Sequence, residues 1–338
     1  DSPVDSLIDL GILPILIHCL TSENAGTQFE AAWALTNIAA GTNEHTQAVV
    51  HAGAVPKLFN LLQSGNRKVT EQAVWALGNI IGDGPHSRDD CINLGIVDSL
   101  LKFIDPEISV GFLRTVNWVL VNLCRSNDPP LTAEIIKQLL SAFVGLIRHK
   151  DTKILVGIVW ALYSLTDGGN EQIEMVVESG AVPDLILLLG HSDVKVQTTA
   201  LRAVRNISTG CGKWTPLLLD NGILRFFPEL LSHSHYGISK EAVWLMSHIT
   251  AVNAVVNAVN AVNHRCRPPS PRHPSAREGR LPHSEGSCVD SVQSDHLCPS
   301  RPGGQDGAGG HHCALLRNPR SSSVDNCSGG PRRNQQHY

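Results

Sequence analysis

Six segments of this 338-residue chain fall on one beat. FEAAWALTNIAAGT (29–42), EQAVWALGNIIGDG (71–84), RTVNWVLVNLCRSN (114–127), VGIVWALYSLTDGG (156–169), TALRAVRNISTGCG (199–212) and KEAVWLMSHITAVN (240–253) align on positions 33, 75, 118, 160, 202 and 244. The steps are 42, 43, 42, 42 and 42 residues, with Trp at five positions and Arg202 at the sixth. A second marker keeps the same beat: GILP at 11, GAVP at 53, GIVD at 95, GAVP at 180 and GILR at 222. The interval from 95 to 180 is two steps with a degraded middle copy. Two markers sharing one period mean that each repeat is a unit stacking on the next.

The units read as helices. Val69, Ala73, Leu77 and Ile80 recur at three- and four-residue spacing, which predicts an amphipathic helix over 68–81. The marker glycines suit a tight turn between helices, and the Pro that follows suits a first helical turn. PKLFNLL and PDLILLL supply shorter buried helices. No segment alternates with period two for long enough to suggest strands. Helical repeats of this length are the HEAT or armadillo signature. The expected fold is all-α, a right-handed α-solenoid of about six armadillo units.

Composition divides the chain near residue 264. Before residue 265 there are 17 basic and 25 acidic residues; from 265 on, ten Arg face six acids, with no Trp, Phe, Ile or Lys. Such a tail, rich in Gly, Pro and Ser, buries too little apolar surface to offset its ordering entropy. The expected organisation is a solenoid over 1–251, a low-complexity junction over 252–264 and a disordered tail over 265–338. No apolar run reaches the length of a membrane span. Cys19, Cys91, Cys124 and Cys211 are scattered and read as reduced, mostly buried thiols. The tail cysteines lack CxxC spacing, so no metal or other cofactor is expected.

Packing accounts for the aliphatic residues of the repeats but not for Trp followed four residues later by Asn. Trp33/Asn37, Trp75/Asn79 and Trp118/Asn122 each share a helix face, and stacking aligns the pairs into a ladder. Asn is a poor helix-interior residue, so its recurrence asks for another role; the bland alternative is an amide satisfying a neighbouring loop. An amide offers donors and an acceptor, matching a peptide bond. Adjacent indoles form slots for aliphatic stems, and a cation over indole gains about 0.5–2 kcal/mol. Glu30, Glu71 and Asp83 make an acidic rim. The expected ligand is an extended peptide rich in Lys and Arg.

WALTNIAAGT, WALGNIIGDG and WVLVNLCR on this beat resemble the importin alpha family over about residues 3–251. NIIGDGP and LRTVNWVLVNLCRSNDPP resemble its alpha-three-like branch. The resemblance implies an adaptor, moving between cytoplasm and nucleus, for cargo proteins with basic nuclear localisation signals. It implies a major signal site at Trp33, Asn37, Glu71, Trp75, Asn79, Asp83, Trp118 and Asn122, with loop contacts at Gly41 and Thr46. It also implies a minor site at Trp160, Arg202, Asn206, Glu241 and Trp244. That second site departs from the pattern: Ser164 and His248 stand where Asn is expected, and Arg205 where a small residue is usual. A weakened minor site is expected. The family's importin beta and export-receptor regions have no counterpart here, so a fragment with a frame-shifted end is expected.

Two other classes compete. A scaffold for acidic partners would carry Lys and Arg on the ladder helices, against which Glu30, Glu71 and Asp83 argue. An enzyme has no support: His18, His45, His51 and His86 show no nucleophile or metal spacing and read as loop or surface residues. There is no phosphate-cradling GxGxxG or P-loop. A tail without aromatics gives no specific nucleic-acid signal.

Overall fold

The computed structural model describes residues 3–126, 128–210 and 212–265, with side chains to residue 252. Among the described residues every regular element is helical. The first unit holds α1 (Pro3–Asp9), α2 (Ile12–Cys19) and α3 (Ala25–Ala39). The second holds α4 (Asn43–His51), α5 (Ala54–Asn60) and α6 (Arg67–Ile81), and the third α7 (Pro85–Asn93), α8 (Ile96–Leu101) and α9 (Val110–Leu123). In the fourth, one helix, α10 (Ala133–Leu146), stands where the others have two, followed by α11 (Thr152–Asp167). The fifth is α12 (Asn170–Glu178), α13 (Val182–Leu187) and α14 (Val194–Thr209); the sixth is α15 (Thr215–Asp220), α16 (Phe227–Leu231) and α17 (Tyr236–Arg265).

The glycine marker is explained by backbone geometry. Gly11, Gly53, Gly95, Gly180 and Gly222 stand at the corner between the first and second helices of their units, with φ between 73° and 87°. In that left-handed region a Cβ meets the following carbonyl oxygen, at a cost of about 1–2 kcal/mol. The fourth unit has no glycine at the corresponding corner, and α10 runs straight through it. The missing marker and the missing corner are one fact.

The third helices form the spine. α3, α6, α9, α11 and α14 pack in chain order, each on the next. Val69, Ala73, Leu77 and Ile80, all at most 1% exposed, line the predicted face of α6. Burying each of the larger of these side chains stabilises the fold by roughly 1.5–3 kcal/mol. Every spine helix from α3 to α14 starts at a capping side chain: Asn24, Asn66, Ser109, Asp151 and Asp193 each accept from one or two backbone N–H groups of the first turn. A cap of this kind is worth about 1 kcal/mol.

One difference from the sequence reading stands out, and two further features refine it. His45 is buried, not a loop or surface residue; its Nδ1 accepts from Thr42 N–H and its Nε2 lies 2.5 Å from Asp5 Oδ1, joining α4 to α1. The stretch 252–264 is helical, since α17 continues to Arg265. Cys91 and Cys124 are buried as expected, but Cys19 is only half-buried. The chain divides at His248 into two units, the first of which holds the stacked repeats. Apart from Arg265, the tail lies outside the described residues.

Gly95→Ala is expected to lose about 1–2 kcal/mol. Gly145, inside α10 with open space around its Cα, should tolerate Ala without loss. Urea midpoints of the two variants check the contrast; equal midpoints would show that the corner geometry costs nothing.

Candidate functional site along the spine

The ladder residues lie on one face of the spine helices. Trp33 is 50% exposed and Trp75 38% exposed, unusual values for indoles. Trp118 is half-buried because its ring lies over Gly78 of α6, where any Cβ would collide with it. Asn37 is exposed, whereas Asn79 and Asn122 are buried. The difference has a structural cause. Asn79 Nδ2 donates to the Thr36 carbonyl at 3.0 Å, and Asn122 Nδ2 to the Gly78 carbonyl at 3.1 Å. Each amide thus ties its own repeat to the last turn of the preceding spine helix. The bland alternative is therefore partly right, with a helix end in place of a loop. One N–H of each amide is committed; the Oδ1 acceptor and the second N–H keep a fixed orientation.

Asp83, two residues past α6, is the acidic group that the fold holds in place. Its Oδ2 accepts from Asn43 Nδ2 at 2.8 Å and from Gln47 Nε2 at 2.9 Å, both on α4. Gln47 is itself held by Ser87 at 3.0 Å. Two donors on one oxygen fix the carboxylate and leave Oδ1 for a third partner. Ala39, Ala40, Gly41, Thr46, Asn79 and Asp83 line a small pocket here. Thr46 is buried and donates to the Ala39 carbonyl at 3.0 Å, holding the loop of Gly41 over the pocket. Four candidate residues, from two separate stretches of the chain, thus line one pocket.

Glu71 does not join them. It lies near the start of α6, half-buried and paired with Arg67 at 3.0 Å. Such a pair is worth roughly 0.3–0.5 kcal/mol. Glu30 is exposed on α3.

The later repeats keep the spine tie with different chemistry. Ser164 Oγ donates to the Cys124 carbonyl at 2.5 Å, doing for α11 what Asn does for α6 and α9. Trp160 is half-buried beside it. Asn206 Nδ2 donates to Thr166 Oγ1 at 3.4 Å. Glu241 on α17 receives two arginines from α14: Arg202 Nε at 3.2 Å and Arg205 Nη1 at 2.7 Å. Trp244 is 55% exposed, with the His248 ring 6.4 Å away.

Burial pushes the thiols of Cys91 and Cys124 up to about 12, which keeps them protonated and poorly nucleophilic. Among the described residues no group of three or more His, Cys, Asp or Glu could hold a metal ion, and no helix is long and apolar enough to cross a membrane. Sequence reasoning missed Asn43 and Gln47. Their spacing of four on α4 puts both on one face, but nothing local marks that face as the one towards Asp83.

Comparison with known proteins gives the same picture. The Armadillo/beta-catenin-like repeat matches residues 1–40, 42–82 and 169–209. Importin subunit alpha-3 of Caenorhabditis elegans is 64% identical over 186 residues, covering 55% of this chain and 36% of that protein. Importin subunit alpha-2 of Arabidopsis thaliana is 42% identical over 188 residues, covering 55% and 35%. The chain therefore spans about a third of the length of these curated relatives. Among solved structures, a designed armadillo-repeat protein in complex with the peptide (KR)4 superposes with TM-score 0.64 at 28% identity, over 70% of this chain and 99% of that one. An engineered protein superposes with TM-score 0.62 at 32% identity, over 71% and 98%. Over the matched half of the chain the all-helical stack of 42-residue units is thus similar to importin alpha proteins, and three of its segments match the armadillo repeat.

Proposed function

We propose that this chain is a nuclear-import adaptor that holds Lys/Arg-rich localisation signals of cargo proteins, extended along the first Trp/Asn ladder. The observation that carries this reading is the pocket where Asn79, Asp83, Thr46 and Gly41 converge, at the end of the helix that carries Trp75. A lysine stem passing the half-exposed indole brings its ammonium to Asp83, whose carboxylate is already oriented by Asn43 and Gln47. Asn79 and Asn122, clamped by their neighbours, present Oδ1 to the N–H groups of the guest backbone. Main-chain recognition of this kind accepts many sequences, while the indoles and the carboxylate select for charge.

Two further facts support it. The relatives named above are importin subunits, and a structurally similar designed protein binds a peptide of alternating Lys and Arg. On this reading cargo proteins are the partners, and the protein works in both cytoplasm and nucleus. The groove runs over Trp33, Asn37, Trp75, Asn79, Trp118 and Asn122, with Glu71 at its edge held by Arg67.

Fluorescence anisotropy with a labelled Lys-rich peptide tests the reading. Asp83→Lys replaces attraction by repulsion at a partly desolvated site and should cost about 2–5 kcal/mol of binding. Trp75→Ala removes the stem contact and should cost about 1–3 kcal/mol. Gln47→Ala only loosens the carboxylate and should cost about 0.5–1.5 kcal/mol. Unchanged affinity in Asp83→Lys would place the site elsewhere.

A further inference from the structure

The unusual residue of the second half of the ladder is Arg205, and its side chain makes the contacts that a basic guest would make. Its Nη1 lies 2.7 Å from Glu241 Oε2. Its guanidinium carbon stands 5.9 Å from the centre of the Trp244 ring. Its Nη2 donates to Asn206 Oδ1 at 3.2 Å. On the proposed reading a ladder unit meets the guest's cation with indole and carboxylate and its main chain with the amide oxygen, and one internal arginine takes all three. Arg202 meets the other oxygen of Glu241 at 3.2 Å. Two fixed cations against one carboxylate leave this part of the groove locally positive, which repels an incoming Lys or Arg.

Burial makes the arrangement firm. The side chains of Arg205 and Glu241 are only 22% and 15% exposed, so their attraction is screened less than that of a surface pair. The first half of the ladder differs in kind: around Asp83 the donors are neutral amides, Asn43 and Gln47, which orient the carboxylate without cancelling its charge.

We infer that Arg205 fills the second half of the ladder from within, so that this chain takes one basic cluster and turns away a second. The inference rests on the proposed function and adds a specificity-determining residue to it. A guest with two basic clusters gains nothing from its second cluster, because that cluster must first displace an intramolecular cation from Glu241, Trp244 and Asn206.

Titration of the full chain with two Lys/Arg peptides tests this, one with a single basic cluster and one with two clusters joined by a flexible linker. The wild type should bind both with equal affinity. Arg205→Ala should bind the two-cluster peptide on the order of a hundredfold tighter, since the second contact becomes intramolecular, and the single-cluster peptide no tighter than before at the first site. Adding Trp244→Ala to Arg205→Ala should remove the gain. Arg205→Gln, which keeps much of the stem and drops the charge, serves the same purpose if the alanine variant does not fold. A wild type that already prefers the two-cluster peptide overturns the inference, as does a two-cluster affinity unchanged in both variants. If the wild type binds neither peptide, the groove reading itself fails and takes the inference with it.

Discussion

The seam between successive spine helices is the contact on which everything else depends. Each seam joins an apolar strip to a polar tie at one end. Along α6 the strip is Val69, Ala73, Leu77 and Ile80. The tie is Asn79 on the Thr36 carbonyl, repeated by Asn122 on Gly78 and by Ser164 on Cys124. Apolar burial alone would let one helix slide along another. A donor on a particular carbonyl fixes the offset, because a slip leaves both groups unpaired at a cost of about 1–3 kcal/mol. With the offset fixed, the indoles come to stand at regular intervals.

The proposed function reuses the same atoms. On the proposed reading the amides that fix the seam also meet the guest, so the groove is preorganised by the force that builds the fold. This limits what a binder must do, since little ordering entropy remains to be spent on the receptor side. It also separates two ladder positions that look alike in sequence. At position 122 the amide is held on the Gly78 carbonyl, whereas Asn37 on the first spine helix is exposed. The central pairs, Trp75/Asn79 and Trp118/Asn122, are the ones the fold holds in place.

Features with a fixed period and a fixed chemical identity were legible before the structure. Gly at the corner and Trp on the ladder are each demanded by one geometry, so they recur as letters. The capping residues Asn24, Asn66, Ser109, Asp151 and Asp193 keep the same period. They escape notice because any short acceptor side chain can cap, and the letter varies. Asn43 and Gln47 were not legible for another reason: they act through space on a carboxylate about 40 residues away. Arg205 was visible as a departure, but a long side chain has several possible targets, and only the packing of α14 against α17 shows that it reaches Glu241 and Trp244. The helical stretch over 252–264 was not legible, because Val and Asn, which dominate it, are weak helix formers.

The central claim is that this groove grips the main chain of a basic peptide through Asn79 and Asn122. It is tested most directly by calorimetric titration of a Lys-rich peptide against the same peptide with its backbone amides replaced by esters at alternate positions. Ester replacement keeps every side chain and removes only the N–H donors. The account predicts that one of the two alternations weakens binding, by about 1 kcal/mol for each N–H that faces an Asn Oδ1. Equal affinity of the amide peptide and both ester peptides would contradict it.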